Sequence, residues 1–467
     1  MRGAVVGALL LLVPACTAIR PLDAPGDANR GPDANRSADA WSSDTQLDGG
    51  PARDAYAAGS DADGADSGVS TDAQLADAFV PLDAACGPSR CTGETLSRCV
   101  AGMEVDTVCA LGCAIDPSPH CVEMVPSNVP RARLTEGTVD LIVSLPTGLH
   151  VDTSSCATGV VEMGPLGAEL CVLVVRNLIV QMGATLSATG VRPLVIAASG
   201  TVAIDGTLDV SATGAVPGAG GGAGGTGSSP GMAGVTGAMF ADSGGGGGGA
   251  CGAGGDGGRG SGTRGGRGGA RLTTTLEPLV GGSSGGVGAT GPLGGAGGGG
   301  GGAVQISALR GVVVTGSVLA GGGGGHAGIE TSTFGSGGGG GSGGSVLLEG
   351  PTVVLGAGAS VLTTGGGGGA GGSTGFVETV AEDGASHALR AAGGIGGGLY
   401  GASGGDSGGG ATSDALGGID SASLGNGGGG GGGVGCIVLR ALGTPSTTGA
   451  TLSPSAMGSS VLPLHTL

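Results

Sequence analysis

The sequence predicts an all-β chain: a parallel β-helix-like solenoid with poly-Gly insert loops, preceded by a disordered tether and a small disulfide-rich module. Three observations carry this expectation. Four segments share one alternating apolar pattern. Aromatic residues make up 1% of 467 positions, so a core of Phe, Trp and Tyr is excluded and Val, Leu, Ile and Ala must fill it. Glycine occupies 117 positions and clusters in runs between the patterned segments. No strict Gly-X-Y period exists, which excludes collagen.

The patterned segments are 172–190, 194–214, 304–321 and 346–365, with a start at 139–145 and a partial copy at 434–442. In the third, Val304, Ile306 and Ala308 alternate, followed by Val312 and Val314, then Val318 and Ala320. In the second, Ile196 and Ala198, Val202 and Ile204, and Leu208 and Val210 take the same places. Each segment therefore reads as three short strands, parted by turns such as Asp205-Gly206 and Thr315-Gly316. A unit of about 20 residues cannot bury its apolar face alone, whereas stacked copies can. The pattern resembles the right-handed parallel β-helix of bacterial surface proteins and polysaccharide-acting enzymes.

Glycine runs sit where these segments end: 297–302, 321–325, 337–341, 365–369 and 427–433. Two readings are open. The runs are flexible loops, or they are extended strands of three residues per turn, stacked as closely as only glycine allows. The second resembles the poly-glycine bundles at the tips of some phage adhesins. Cys251 follows the run 244–249 and Cys436 follows 427–433, so these two are expected to pair. Cys156 and Cys171 are expected to bridge neighbouring strands at the start of the series.

The N-terminus reads as an address. Arg2 precedes an apolar run over 4–13, too short to span a bilayer, and then Pro14, Ala15 and Cys16. Val13-Pro14-Ala15-Cys16 resembles the lipobox of bacterial lipoproteins. The resemblance implies a signal peptide at 1–15, acylation of Cys16 and anchoring in a membrane. Eleven cysteines leave one unpaired, and assigning Cys16 to lipid leaves ten: Cys86, Cys91, Cys99, Cys109, Cys113, Cys121, Cys156, Cys171, Cys251 and Cys436. Residues 16–85 are rich in Asp and Ala and poor in apolar side chains, which predicts a disordered tether. Its flexible chain would span roughly 45 Å r.m.s.. Six cysteines within 86–125 then predict three disulfides in a module too small for its own core. Spacing does not choose among the connectivities, and zinc is disfavoured because no Cys-x2-Cys pair occurs. The Gly-rich domain is expected to fill 126–467.

The net charge is −18, and no lysine is present. Half of the excess lies in 17–85, with thirteen Asp against four Arg. Nucleic acid is therefore not an expected partner. Arg259, Arg264, Arg267 and Arg271 form the nearest approach to a basic patch, along a Gly-rich stretch. Asp205 and Asp209 share a segment but read as turn residues. Asp242, Asp256, Asp383, Asp406, Asp414 and Asp420 lie in the inserts, and His150, His326, His387 and His465 are scattered. These patterns predict no catalytic site, metal or cofactor. Phe240, Phe334, Phe376 and Tyr400 are the aromatics of the inserts, and are candidates for ligand contact or for pinning each insert down.

The ordered succession of lipobox, Asp/Ala tether, Cys-rich module and Gly-rich strands resembles the glycine-rich surface lipoproteins of myxobacteria. It implies an outer-membrane or cell-surface protein, structural or adhesive and without catalytic activity. The partners expected are the membrane, through the lipid, and a polysaccharide or another cell surface. The rival expectation is a polysaccharide-active β-helix enzyme, a lyase or hydrolase.

Overall fold

The computed structural model describes residues 86–237, 241–273, 275–289, 293–329, 335–373, 379–386, 388–397, 401–409, 414–421, 425–454 and 459–463. All belong to one compact unit, 79–467. The expected signal peptide, Cys16 and the tether lie outside the described residues.

The Cys-rich module comes first. Strands β1 (Arg90–Thr92), β2 (Thr95–Val100) and β3 (Met103–Val108) form an antiparallel sheet. Strands β4 (Cys113–Ala114) and β5 (His120–Cys121) form a second, minimal one. Disulfides join Cys86 to Cys99, Cys91 to Cys113 and Cys109 to Cys121. Of the module's apolar side chains Leu96, Cys109 and Met124 are buried, and Met124 packs on the parallel sheet that follows, so the crosslinks replace a core of the module's own.

The chain then passes through α1 (Arg133–Glu136) into a set of parallel strands. The first pair is β6 (Leu141–Val143) and β7 (Leu149–Asp152), followed by β8 (Val160–Met163). Next come β9 (Glu169–Val175), β10 (Leu178–Val180) and β11 (Thr185–Thr189), then β12 (Leu194–Ala198), β13 (Thr201–Ile204) and β14 (Thr207–Asp209). The same trio recurs as β15 (Ala303–Ala308), β16 (Gly311–Val314) and β17 (Ser317–Leu319), and as β18 (Ser345–Glu349), β19 (Val353–Leu355) and β20 (Ser360–Leu362). The last strands are β21 (Cys436–Ala441), β22 (Thr451–Ser453) and β23 (Ser459–Pro463).

Each trio contributes one strand to each of three sheets. The first sheet runs β8-β9-β12-β15-β18-β21-β23, the second β6-β10-β13-β16-β19 and the third β7-β11-β14-β17-β20-β22. All pairings are parallel except β8 with β9. Register places like residues over like. Leu173, Ile196, Ile306, Leu348 and Leu439 form one buried row. Val143, Val180, Ile204, Val314 and Leu355 form another, and Leu186, Leu208, Val318 and Val361 a third. Period-2 alternation sends these rows into a common core. Among the described residues, stacked aliphatic rows fill it without an aromatic side chain.

The first sheet departs from simple alternation: it is buried on both faces. Met124, Val129 and Leu134, together with Leu276 and Leu279, cover its other face by packing on Val172, Val195, Leu347 and Val438. Unbroken apolar runs such as Leu194–Ala198 are the sequence signature of that double burial. Cys156 is bonded to Cys171 on β9, and Cys251 to Cys436 on β21.

The glycine inserts leave after β14, β17 and β20 and return at β15, β18 and β21. They are not structureless. Gly244 and Gly247 donate their N–H groups to Gly258 and Gly255, Gly245 and Gly248 to Gly337 and Gly340, and Gly246 and Gly249 to Met232 and Ser229, all at 2.8–2.9 Å. Successive donors thus turn to three different neighbours, and the pattern repeats every three residues, the period of a polyproline-II helix. A β-strand, with period two, cannot bond in three directions. The run 427–433 does the same: Gly427, Gly430 and Gly433 bond to Asp242, Gly245 and Gly248, while Gly429 and Gly432 bond to Gly369 and Gly366. These strands are buried along their length. A Cβ on Gly429 would stand 1.9 Å from the Gly338 carbonyl oxygen, so no larger residue fits.

Candidate functional site

The three-residue period also builds the site. Three neighbouring strands, 253–260, 264–270 and 414–421, lie against the buried glycine runs. Gly257 and Gly254 donate to Gly266 and Gly269 at 2.8 and 2.9 Å. Ala415, Gly418 and Ser421 donate to Ala253, Asp256 and Arg259 at 3.0, 2.8 and 3.0 Å. Beneath them, Gly255 and Gly258 bond to Gly431 and Gly428. On a helix of this period every third side chain shares a face. Asp256 and Arg259 are so related on one strand, and Arg264 and Arg267 on the next. Together with Asp420 they line a cleft of ≈ 630 Å³ whose floor includes Gly257, Gly265, Gly417 and Gly418. With a rise of about 3.1 Å per residue, side chains three apart on one strand are attached about 9 Å apart.

All five charged side chains are exposed. Among the described residues, the guanidinium groups of Arg259, Arg264 and Arg267 have no hydrogen-bond or ion-pair partner. The carboxylates are tied down instead. Asp256 Oδ1 accepts the Gly268 N–H at 2.8 Å, and Asp420 Oδ1 accepts the Arg259 N–H at 2.7 Å. Arg271, the fourth arginine of this stretch, pairs with Asp414 at 2.8 Å. The structure therefore gathers three of the four arginines around one opening.

The acids of the inserts share a structural task that their sequence positions hide. Asp242 accepts the N–H of Gly237, Asp406 that of Gly393 and Asp414 that of Ala253. Asp383 accepts two, from Gly214 at 3.0 Å and Gly324 at 2.7 Å. Ser243, Ser283, Ser336 and Ser407 similarly accept backbone N–H groups. Side-chain oxygens thus replace a missing carbonyl where a glycine strand lacks a neighbour. Burial raises the pKa of Asp242, opposed by the bond from Gly237.

A second polar cluster lies between β18, β21 and the segment leading out of the Cys-rich module. Ser307, Glu349 and Arg440 occupy matched positions on adjacent strands of the first sheet. Glu349 is fully buried and accepts hydrogen bonds from Gln305 at 2.9 Å, Ser307 at 2.7 Å and both the backbone and hydroxyl of Ser127. Arg440 Nε stands 3.6 Å away, and its guanidinium also pairs with Glu277. Burial pushes the Glu349 carboxyl above its ordinary value, against those hydrogen bonds and the Arg440 charge. With Glu349 and Arg440 buried and Ser127 and Glu277 half-buried at its rim, this cluster docks residues 122–136 onto the sheet.

Asp205 accepts a hydrogen bond from the Thr315 hydroxyl of the next trio at 2.6 Å, and Asp209 accepts the Ser211 N–H at 2.9 Å, so the first ties two turns together and the second holds local backbone. His150 lies beside Ser187 and Thr189. Among the described residues, no three His, Cys, Asp or Glu side chains are grouped to hold a metal ion, and no helix is long and apolar enough to cross a membrane. Cys16, Phe240, Phe334, Phe376, Tyr400, His387 and His465 lie outside the described residues. Comparison with protein-family models, curated proteins and solved structures finds no match to this chain.

Proposed function

We propose that this chain is a lipid-anchored protein of the outer membrane or cell surface, structural or adhesive rather than catalytic. In this reading the Gly-rich region is a parallel β-solenoid that presents a stiff glycine bundle. The observation that carries it is the arginine cleft: three unpaired, exposed cations standing on strands held by hydrogen bonds in three directions. Such a face is organised in advance and needs little ordering on contact. Five disulfides fit export into an oxidising compartment. The lipobox at Cys16 supplies the anchor, and two or more acyl chains make it stable. The rival enzymatic reading lacks support in Asp205 and Asp209, which are engaged by the Thr315 hydroxyl and the Ser211 N–H.

The test is co-sedimentation of the full-length chain with insoluble polysaccharides and bacterial envelopes, with released sugar assayed in the supernatant. Retention without release is expected. Released sugar would establish the enzymatic alternative, and absence of retention would remove adhesion. Labelling with palmitate should mark the chain and not its Cys16→Ala variant; a label that persists would remove the anchor.

A further inference from the structure

We propose that the arginine cleft is a binding site for acidic polysaccharide, recognising uronate carboxylates along a sugar chain. The proposal rests on the adhesive reading and gives that surface a ligand class. Arg259, Arg264 and Arg267 surround one opening, and a planar guanidinium meets a carboxylate through two parallel hydrogen bonds. Arg264 and Arg267 are three residues apart on one strand, so their attachment points are spaced by about 9 Å along it, and the two cations address a ligand longer than one small anion.

The neighbouring carboxylates decide between anionic polymers. Asp256 and Asp420 line the same cleft, each with one oxygen engaged by a backbone N–H. They offer acceptors to hydroxyl groups, which a uronate chain carries at every residue. A DNA strand carries as many charges, but its internal sugar hydroxyls are all esterified, so it offers no hydroxyl donors to Asp256 and Asp420. The glycine floor, formed in part by Gly257, Gly265 and Gly417, carries no side chain to obstruct a sugar ring. All charged groups of the cleft are exposed, so a chain can cross it without an end entering.

The experiment measures Kd by calorimetry on the full-length chain, with a galacturonate hexamer, maltohexaose and a deoxythymidylate hexamer. The galacturonate should bind, and the other two should not. Arg264→Gln with Arg267→Gln should weaken it about tenfold or more, the scale of losing charge-assisted hydrogen bonds. Arg98→Gln with Arg310→Gln removes the same charge from exposed positions elsewhere and should leave Kd unchanged. Equal loss in both double variants, no loss in the first, or equal affinity for either control oligomer would overturn the assignment. Chain retained by envelopes but indifferent to galacturonate would overturn the cleft alone and leave the adhesive reading standing. Chain indifferent to both would overturn the two together.

Discussion

The carbonyl oxygen of Gly431 lies 1.8 Å from the point where a Cβ on Gly247 would stand. Both residues are buried, and the contact is with backbone on every side, so no rotamer change relieves it.

Gly247→Ala should therefore destabilise the chain by about 3 kcal/mol, the upper part of the usual overpacking range. Gly443→Ala, where nothing lies within 4 Å, should stay within about 0.5 kcal/mol. Urea unfolding midpoints of the two variants check this. Equal midpoints would show that the mesh yields locally and that close packing is not what selects glycine.

The disulfide between Cys251 and Cys436 closes a loop of 185 residues, and that between Cys156 and Cys171 one of 15. Loop-closure entropy then assigns the long crosslink about 5 kcal/mol and the short one about 3 kcal/mol. The double variant Cys251→Ser, Cys436→Ser should lose more thermal stability than Cys156→Ser, Cys171→Ser. The reverse order in calorimetry would mean that hydrogen bonds already hold the bundle together in the unfolded chain's place of reference.

Glu349 gives a pH signature of unusual sign. Its folded pKa is raised by burial, so the folded state binds more protons than the unfolded one above the ordinary value of 4.5. Its contribution is fully present below that value and is lost as pH rises through the folded pKa. Glu349→Gln keeps the shape and removes the titration. The stability of the variant relative to the parent should therefore rise with pH from about 4.5 upward. A difference that stays flat across that range would remove the buried-carboxylate account.

Most of the strand architecture was legible because apolar alternation is local. Val304, Ile306 and Ala308 announce β15 without reference to any other segment. The double burial of the first sheet was less legible, since the covering residues Met124, Leu134 and Leu276 are far from β12 in sequence. Glu349 and Arg440 each end an apolar run, and only the strand register shows that they are neighbours. In the inserts, composition revealed glycine and left its order open. The spacing of Asp256 with Arg259 and of Arg264 with Arg267 did contain the three-residue period. Nothing local links Asp420 to Arg259, 161 residues away, and that contact completes the cleft. The pairing of Cys251 with Cys436 was readable because both follow glycine runs.

The mesh also divides its residues by how freely they can change. Buried positions such as Gly247, Gly338 and Gly429 are locked to one residue by the carbonyls around them. Outward positions, among them Arg259, Arg264 and Arg267, face solvent, and their guanidinium groups hold no neighbouring strand in place. Selection can therefore rewrite the contact surface residue by residue while the frame beneath is conserved, much as an alphabet is set in a fixed type-case. A lineage of such chains would diverge in charge and ligand long before it diverged in shape.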